Sequence, residues 1–347
     1  MLRKVRNQKD IAMRLPDYAT MKKFLVSAVL LVPFALAGLY AQQQQQKIED
    51  DQPIKVDVDV VNLFCSVRNK ANGIVVSLKK EDFDLFEDGK PQTVKYFTRE
   101  TDLPLTIGLL VDVSGSQRNL IEIERQASST FFSSVLKKKD VAFLISFGAD
   151  VELLQDITGT PRMLQQGLNR LKLNTGYSGP TGGPVPTMNR ARGTLLYDAV
   201  YLAAGDMLAK EAGRKVIVLI TDGEDQGSRE TEKQAIEAAQ KADAIIYSVL
   251  YVDRGFYGMG GMGYSGEGTL KKMSEETGGR LFRVDRKNTL QEIYSQLEQE
   301  MRAQYAIGYT PTNTNKDGSF RKIDLKLKDK DMKVQVRKGY YAMPNRN

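Results

Sequence analysis

The 347-residue chain has no histidine and one cysteine, Cys65. Without an imidazole a Ser-His-Asp relay is impossible, which removes the commonest route to acyl-transfer catalysis. A lone cysteine can form no internal disulfide, so the fold must rest on packing. Leu63 and Val67 alternate with Cys65 on one strand face, which predicts a buried structural thiol. An excess of one charge is nearly lacking too. The formal charge is +7, from 50 basic and 43 acidic residues, but residues 1–41 hold seven of the basic and two of the acidic ones. The remaining 43 against 41 gives no global electrostatic case for nucleic acid, and no basic groove with stacking aromatics is visible. The runs Lys137–Lys139 and Lys326–Lys333 read as solvated faces.

What is present begins with Met21-Lys22-Lys23, then Phe24 to Ala41 without a charge. A short basic region, an apolar core and small residues at its end describe an export signal, with cleavage expected after Ala37 or Ala41 and Met21 a rival start. The competing reading keeps residues 24–41 as a membrane anchor, since the run approaches the roughly 18–20 residues that span a bilayer. Gln42–Gln46 then serves as a spacer. The expected organisation is a leader (1–41), a polar linker (42–53), a β unit (54–100), an α/β domain (101–302), and strands (303–343) that pack with 54–100. In the β unit, Glu87-Asp88-Gly89 marks a hairpin turn and Val60-Val61 a bulge.

The central stretch is Leu105 to Ser116. A near-continuous apolar run suits a strand buried on both faces of a parallel sheet, and it stops at a carboxylate. Asp112, Ser114 and Ser116 follow at alternate positions, with Gly115 loosening the backbone. Convergent hard oxygens point to a hard cation, and this set leaves its shell incomplete. A second apolar strand, Val216 to Ile220, ends in Thr221-Asp222-Gly223. Alternating helical and strand patterns predict an α/β fold: a doubly wound, Rossmann-like, mostly parallel six-stranded sheet of order 3-2-1-4-5-6. The turn at Gly148-Ala149-Asp150 is too short for a crossover, so strand 3 is antiparallel. In that order strands 1 and 4 are neighbours, which brings Asp112 and Asp222 together. Between them Thr194 offers another hydroxyl from a glycine-bearing loop, ahead of its rivals Thr181 and Thr187. Gly258 to Gly263 formally matches a dinucleotide fingerprint, but residues on either side separate it from strand and helix, so nucleotide binding is not expected.

Asp-x-Ser-x-Ser after an apolar strand, a later Gly-Thr and a later Thr-Asp-Gly resemble the metal-ion-dependent adhesion site of von Willebrand factor A domains. The resemblance implies that Ser114, Ser116 and Thr194 bind Mg2+ or Mn2+ directly, with Asp112 and Asp222 acting largely through water. It also implies a protein ligand that lends an Asp or Glu to the cation, and therefore binding or adhesion rather than catalysis. In some relatives the last helix moves, and Leu290 to Met301 occupies that place. The Asp-Phe-x-Leu-Phe-Glu-Asp-Gly-Lys-Pro stretch and the Gln-Tyr-x-Ile-Gly-Tyr…Arg-Lys-Gly-Tyr-Tyr end resemble exported bacterial relatives of acidobacterial type, periplasmic or extracellular. Two other readings compete. In a structural scaffold, the two Asp residues cap strands, the serines make local turn bonds and Thr194 caps a helix. In a metal-assisted hydrolase, Glu224 or Asp225 is the base.

Overall fold

A computed structural model describes residues 60–100, 103–174, 193–253 and 266–344. The leader, the linker, most of the loop before Thr194 with Thr181 and Thr187, and the glycine fingerprint lie outside the described residues.

The apolar run forms β5 (Leu105–Asp112), and all eight of its residues are buried. Its odd and even positions feed different cores, as period-two alternation requires. Leu105, Ile107, Leu109 and Val111 face one side with α1 (Ile121–Val135) and α2 (Pro161–Leu168). Leu110 faces the other with α3 (Leu196–Leu202). The sheet is completed by β6 (Val141–Phe147), β7 (Val151–Thr158), β8 (Arg214–Thr221), β9 (Ala244–Leu250) and β10 (Leu281–Arg283). Their spatial order is β10-β9-β8-β5-β6-β7, which is the expected 3-2-1-4-5-6. Only β7 runs antiparallel within it, against β6. Helices α4 (Glu232–Lys241) and α5 (Gly266–Thr277) cover the α3 face, and α6 (Leu290–Arg302) covers the face of α1.

Two elements are irregular. The helix after Thr194 is α-helical only from Leu196 to Leu202 and continues to Leu208 as a wider π turn. Strand β7 runs on to Thr158 because its pairing with β6 shifts register and continues.

The remaining strands are β1 (Val61–Arg68), β2 (Phe83–Glu87), β3 (Lys90–Gln92) and β4 (Tyr96–Glu100), then β11 (Gln304–Tyr309), β12 (Phe320–Leu327), β13 (Lys333–Gln335) and β14 (Gly339–Tyr341). They form two antiparallel sheets, β13-β1-β11-β4 and β14-β12-β2-β3, each mixing strands from before and after the α/β part. They share a core of Leu63, Cys65, Val67, Phe83, Leu85, Tyr305, Ile307, Tyr309, Ile323 and Leu325. Cys65 is fully buried, and burial pushes its thiol far up. Asp88 and Gly89 both have positive φ, the backbone that a two-residue type I′ hairpin needs, and Glu87 pairs with Lys90 across them. Val60 precedes β1, whose register with β11 is regular from Val61 onward, so the described strand contains no bulge.

Candidate metal centre

The carboxyl ends of β5 and β8 lie side by side, because the two strands pair from Leu105 with Arg214 to Val111 with Ile220. This adjacency sets Asp112 beside the Thr221-Asp222-Gly223 loop. Asp112 is wholly buried, and its two oxygens accept from the Ser114 amide at 2.9 Å and the Thr221 hydroxyl at 2.6 Å. Thr221 also accepts from the Gly223 amide at 3.0 Å, which folds the β8 loop back on its own strand end. Gly223 has φ +84°, and a Cβ there would lie 2.6 Å from the Gly266 carbonyl oxygen that opens α5. A side chain at this position would therefore push the Asp222 loop off the α5 terminus.

The serine arm follows from the β5 end. The Val113 amide donates to the Phe147 carbonyl and the Val113 carbonyl accepts from Asn174, so the loop is stitched to its neighbours before it turns. Ser114 and Ser116 are both buried, with their hydroxyl oxygens 3.0 Å apart. Thr194 reaches the same end differently. The Leu195 amide donates to the Gly148 carbonyl after β6, and the Gln226 amide donates to the Thr194 carbonyl. A Cβ on Gly148 would stand 3.4 Å from the Ser114 amide nitrogen, which shows how closely these loops pack. No hydrogen bond joins the Thr194 hydroxyl to the other four side chains among the described residues.

The first amides of α3 are capped by two residues other than Thr194. Asp225 accepts from the Leu196 and Tyr197 amides, and the Ser228 hydroxyl accepts from those of Tyr197 and Asp198. The capping reading of Thr194 therefore fails, and Asp225, once a candidate base, has a structural task. Asp222 keeps a local role as well, accepting from the Glu224 amide at 3.2 Å.

Burial, and after it the charge of Asp222, raises Asp112 to about 7. Two carboxylates held together in a dry site repel, and a cation between them relieves that repulsion.

The family model of the von Willebrand factor type A domain matches residues 106–296, more than half of the chain. The chain belongs to this family. Solved structures similar to the chain include an aerotolerance-related membrane protein from Bacteroides fragilis, 18% identical, with 57% of this chain and 98% of that one covered and a TM-score of 0.41. The von Willebrand domain of the type V pili tip protein Mfa5 from Porphyromonas gingivalis is 12% identical, with 57% and 95% covered and a TM-score of 0.42. The mussel byssus proximal thread matrix protein 1, with a zinc-occupied adhesion motif, is 12% identical, with 59% and 50% covered and a TM-score of 0.41. No curated protein matches the chain.

The donor set of this von Willebrand A domain fits a hard divalent cation. Every side-chain donor named is an oxygen. The Ser114 and Ser116 hydroxyls bond each other at 3.0 Å, so the two oxygens are close enough to face one ion. Among the described residues no three carboxylates converge on one point, so the ion would be held by few charges and stay electrophilic.

The sequence motif includes Thr221 but not its task of fixing Asp112, and two buried polar residues were not singled out in the sequence: Gln117 and Glu124. Glu124 carried a legible signal. With Ile121, Ser128, Phe131 and Val135 it falls on the inward helical stripe, where an acid is out of place.

Proposed function

We propose that this is an exported, divalent-cation-dependent protein-binding module in which Ser114, Ser116 and Thr194 hold Mg2+ or Mn2+, while Asp112 and Asp222 hold it largely through water. The partner is a protein that offers an Asp or Glu side chain to the cation. The observation that carries this reading is the convergence of Asp112, the Ser114–Ser116 hydroxyl pair and the Thr221-Asp222 loop at one sheet end. When bound, the cation supplies positive charge for an anionic oxygen. Asp112 orients the Ser114 amide and, through Thr221, the loop of Asp222. Asp225 and Ser228 hold the start of α3, and with it Thr194, in place. Catalysis is not part of this reading: the chain lacks a histidine, and Asp225 is tied to helix amides. Export, to the periplasm or outside the cell, rests on the basic and apolar pattern of residues 21–41.

Calorimetric titration of Mg2+ and Mn2+ into the full chain tests the reading, alongside a Ser114→Ala/Ser116→Ala variant. Binding by the wild type that disappears in the variant is the expected result. Equal binding by both would move the cation elsewhere. A chelator-sensitive loss of binding to acidic peptides, absent for their Asn/Gln counterparts, is expected for the partner chemistry.

A further inference from the structure

Glu124 is fully buried on α1, and neither of its carboxyl oxygens has a hydrogen-bond partner. In the short turn before α1, Gln117 is equally buried. Its amide nitrogen donates to the Tyr251 carbonyl at 3.2 Å just past β9, while its amide oxygen is unpartnered. Three acceptor oxygens with no donor therefore line one side of the β5–β8–β9 sheet end. An unpaired buried carboxyl is among the costlier features a core can hold. Its charged neighbours Asp112 and Asp222 make matters worse, for burial first and then their charges push Glu124 well above the usual carboxylate range. Asn119 does not relieve it, being bonded to Asp253 at 2.6 Å. Nearby hydroxyls are engaged too: Ser128 and Tyr294 bond each other at 2.7 Å.

The missing partners must be donors, and the geometry ties this side to the cation site: the Tyr251 carbonyl accepts from Gln117, and the Tyr251 amide donates at 3.0 Å to the carbonyl of Thr221, whose hydroxyl bonds Asp112. Water molecules on a divalent cation are strong donors, because the ion polarises their O–H bonds. We propose that Glu124 and Gln117 are the floor of the cation site, accepting hydrogen bonds from the ion's own water molecules and so holding it from the side opposite a protein partner. This rests on the cation occupying the site described above. Glu124 is thereby a positioning residue and makes no direct bond to the ion. The role makes chemical sense of a low-charge site. Hydroxyls that bind a cation weakly are supplemented by outer-shell acceptors, whose loss commonly costs about 10- to 100-fold in metal affinity.

The test uses Mn2+ alone as probe, with the full chain and the variants Glu124→Gln, Glu124→Leu and Ser114→Ala/Ser116→Ala. In chelator both Glu124 variants should melt at or above the wild-type temperature, since each removes an unpaired buried acid. In Mn2+ both should bind about 10-fold or more weakly. Water-proton relaxation of the bound Mn2+ should change in them, a readout that packing alone would not move. Wild-type affinity and relaxation in both Glu124 variants, with binding lost in the double serine variant, would overturn the floor and leave the cation site standing. No Mn2+ binding by the folded wild type would overturn both. A Glu124→Gln chain that fails to fold is covered by Glu124→Leu, which suits an apolar stripe.

Discussion

Three glutamates sit at inward-facing positions of their elements, and two of them are unlike the third. Glu87, the last residue of β2, accepts from the hydroxyls of Tyr309 at 2.5 Å and Tyr340 at 3.0 Å. Glu300, on the last turn of α6, accepts from Ser66, Arg68 and Arg280 at 3.0, 2.5 and 2.8 Å. Both are buried and satisfied, and both join parts of the chain that are distant in sequence. Glu124 is just as buried and has no partner. Burial therefore does not separate a structural acid from a functional one. The supply of donors does, and among the described residues it runs out where β5, β8 and β9 end.

The contrast can be broken at each member. Glu300→Ala should have the largest effect, a loss of about 3–5 kcal/mol in urea unfolding, because Arg68 and Arg280 are left facing each other without their shared anion. A change below about 1 kcal/mol would mean that the cluster is not a staple.

Asp112 comes next, and its sign is opposite. Its folded value lies above the ordinary carboxylate value, so its ionisation opposes folding. In chelator, Asp112 should contribute a fall in wild-type stability as pH rises from about 4 through about 7, of at most about 4 kcal/mol. Asp112→Asn should flatten that slope, and Mn2+ should flatten it in the wild type. Melting temperatures across pH with and without the metal check this, and an unchanged slope in the variant would sink it. Smallest is Tyr309→Phe, which removes one of two donors to Glu87 and should cost about 2 kcal/mol while leaving Mn2+ affinity untouched.

Much of the site was legible because it follows from period and topology. An apolar strand that ends in Asp112, a second that ends in Asp222, and a sheet order that makes them neighbours need no side-chain detail. The hairpin at Asp88-Gly89 was legible for a similar reason, since few residues accept positive φ at both positions. Long-range partners were harder. Nothing local in Asp225 announces that it caps a helix 29 positions earlier. Ile123 and Glu124 illustrate the limit. Hydrophobicity alone would bury the first, yet Ile123 is 50% exposed and Glu124 is 0% exposed, because helical phase outranks residue type.

The same clustering bears on α6, which moves in some relatives. Its C-terminal turn is held by Glu300, by Arg302 bonding Asp140 and the Val135 carbonyl, and by Arg214 bonding the Met301 carbonyl. A sliding α6 would have to break these together.

The chain enters the α/β part from β4 and leaves it into β11, and those two strands pair antiparallel, Gln304 opposite Glu100 and Gly308 opposite Tyr96. In mechanical terms the α/β part hangs as a closed loop from a clasp. Tension applied between β1 and β14 should shear the surrounding sheets first and leave the candidate site unloaded while the β4–β11 clasp holds. A ligand bound at the sheet end would in that case be held by a domain still at rest while its mount is being pulled.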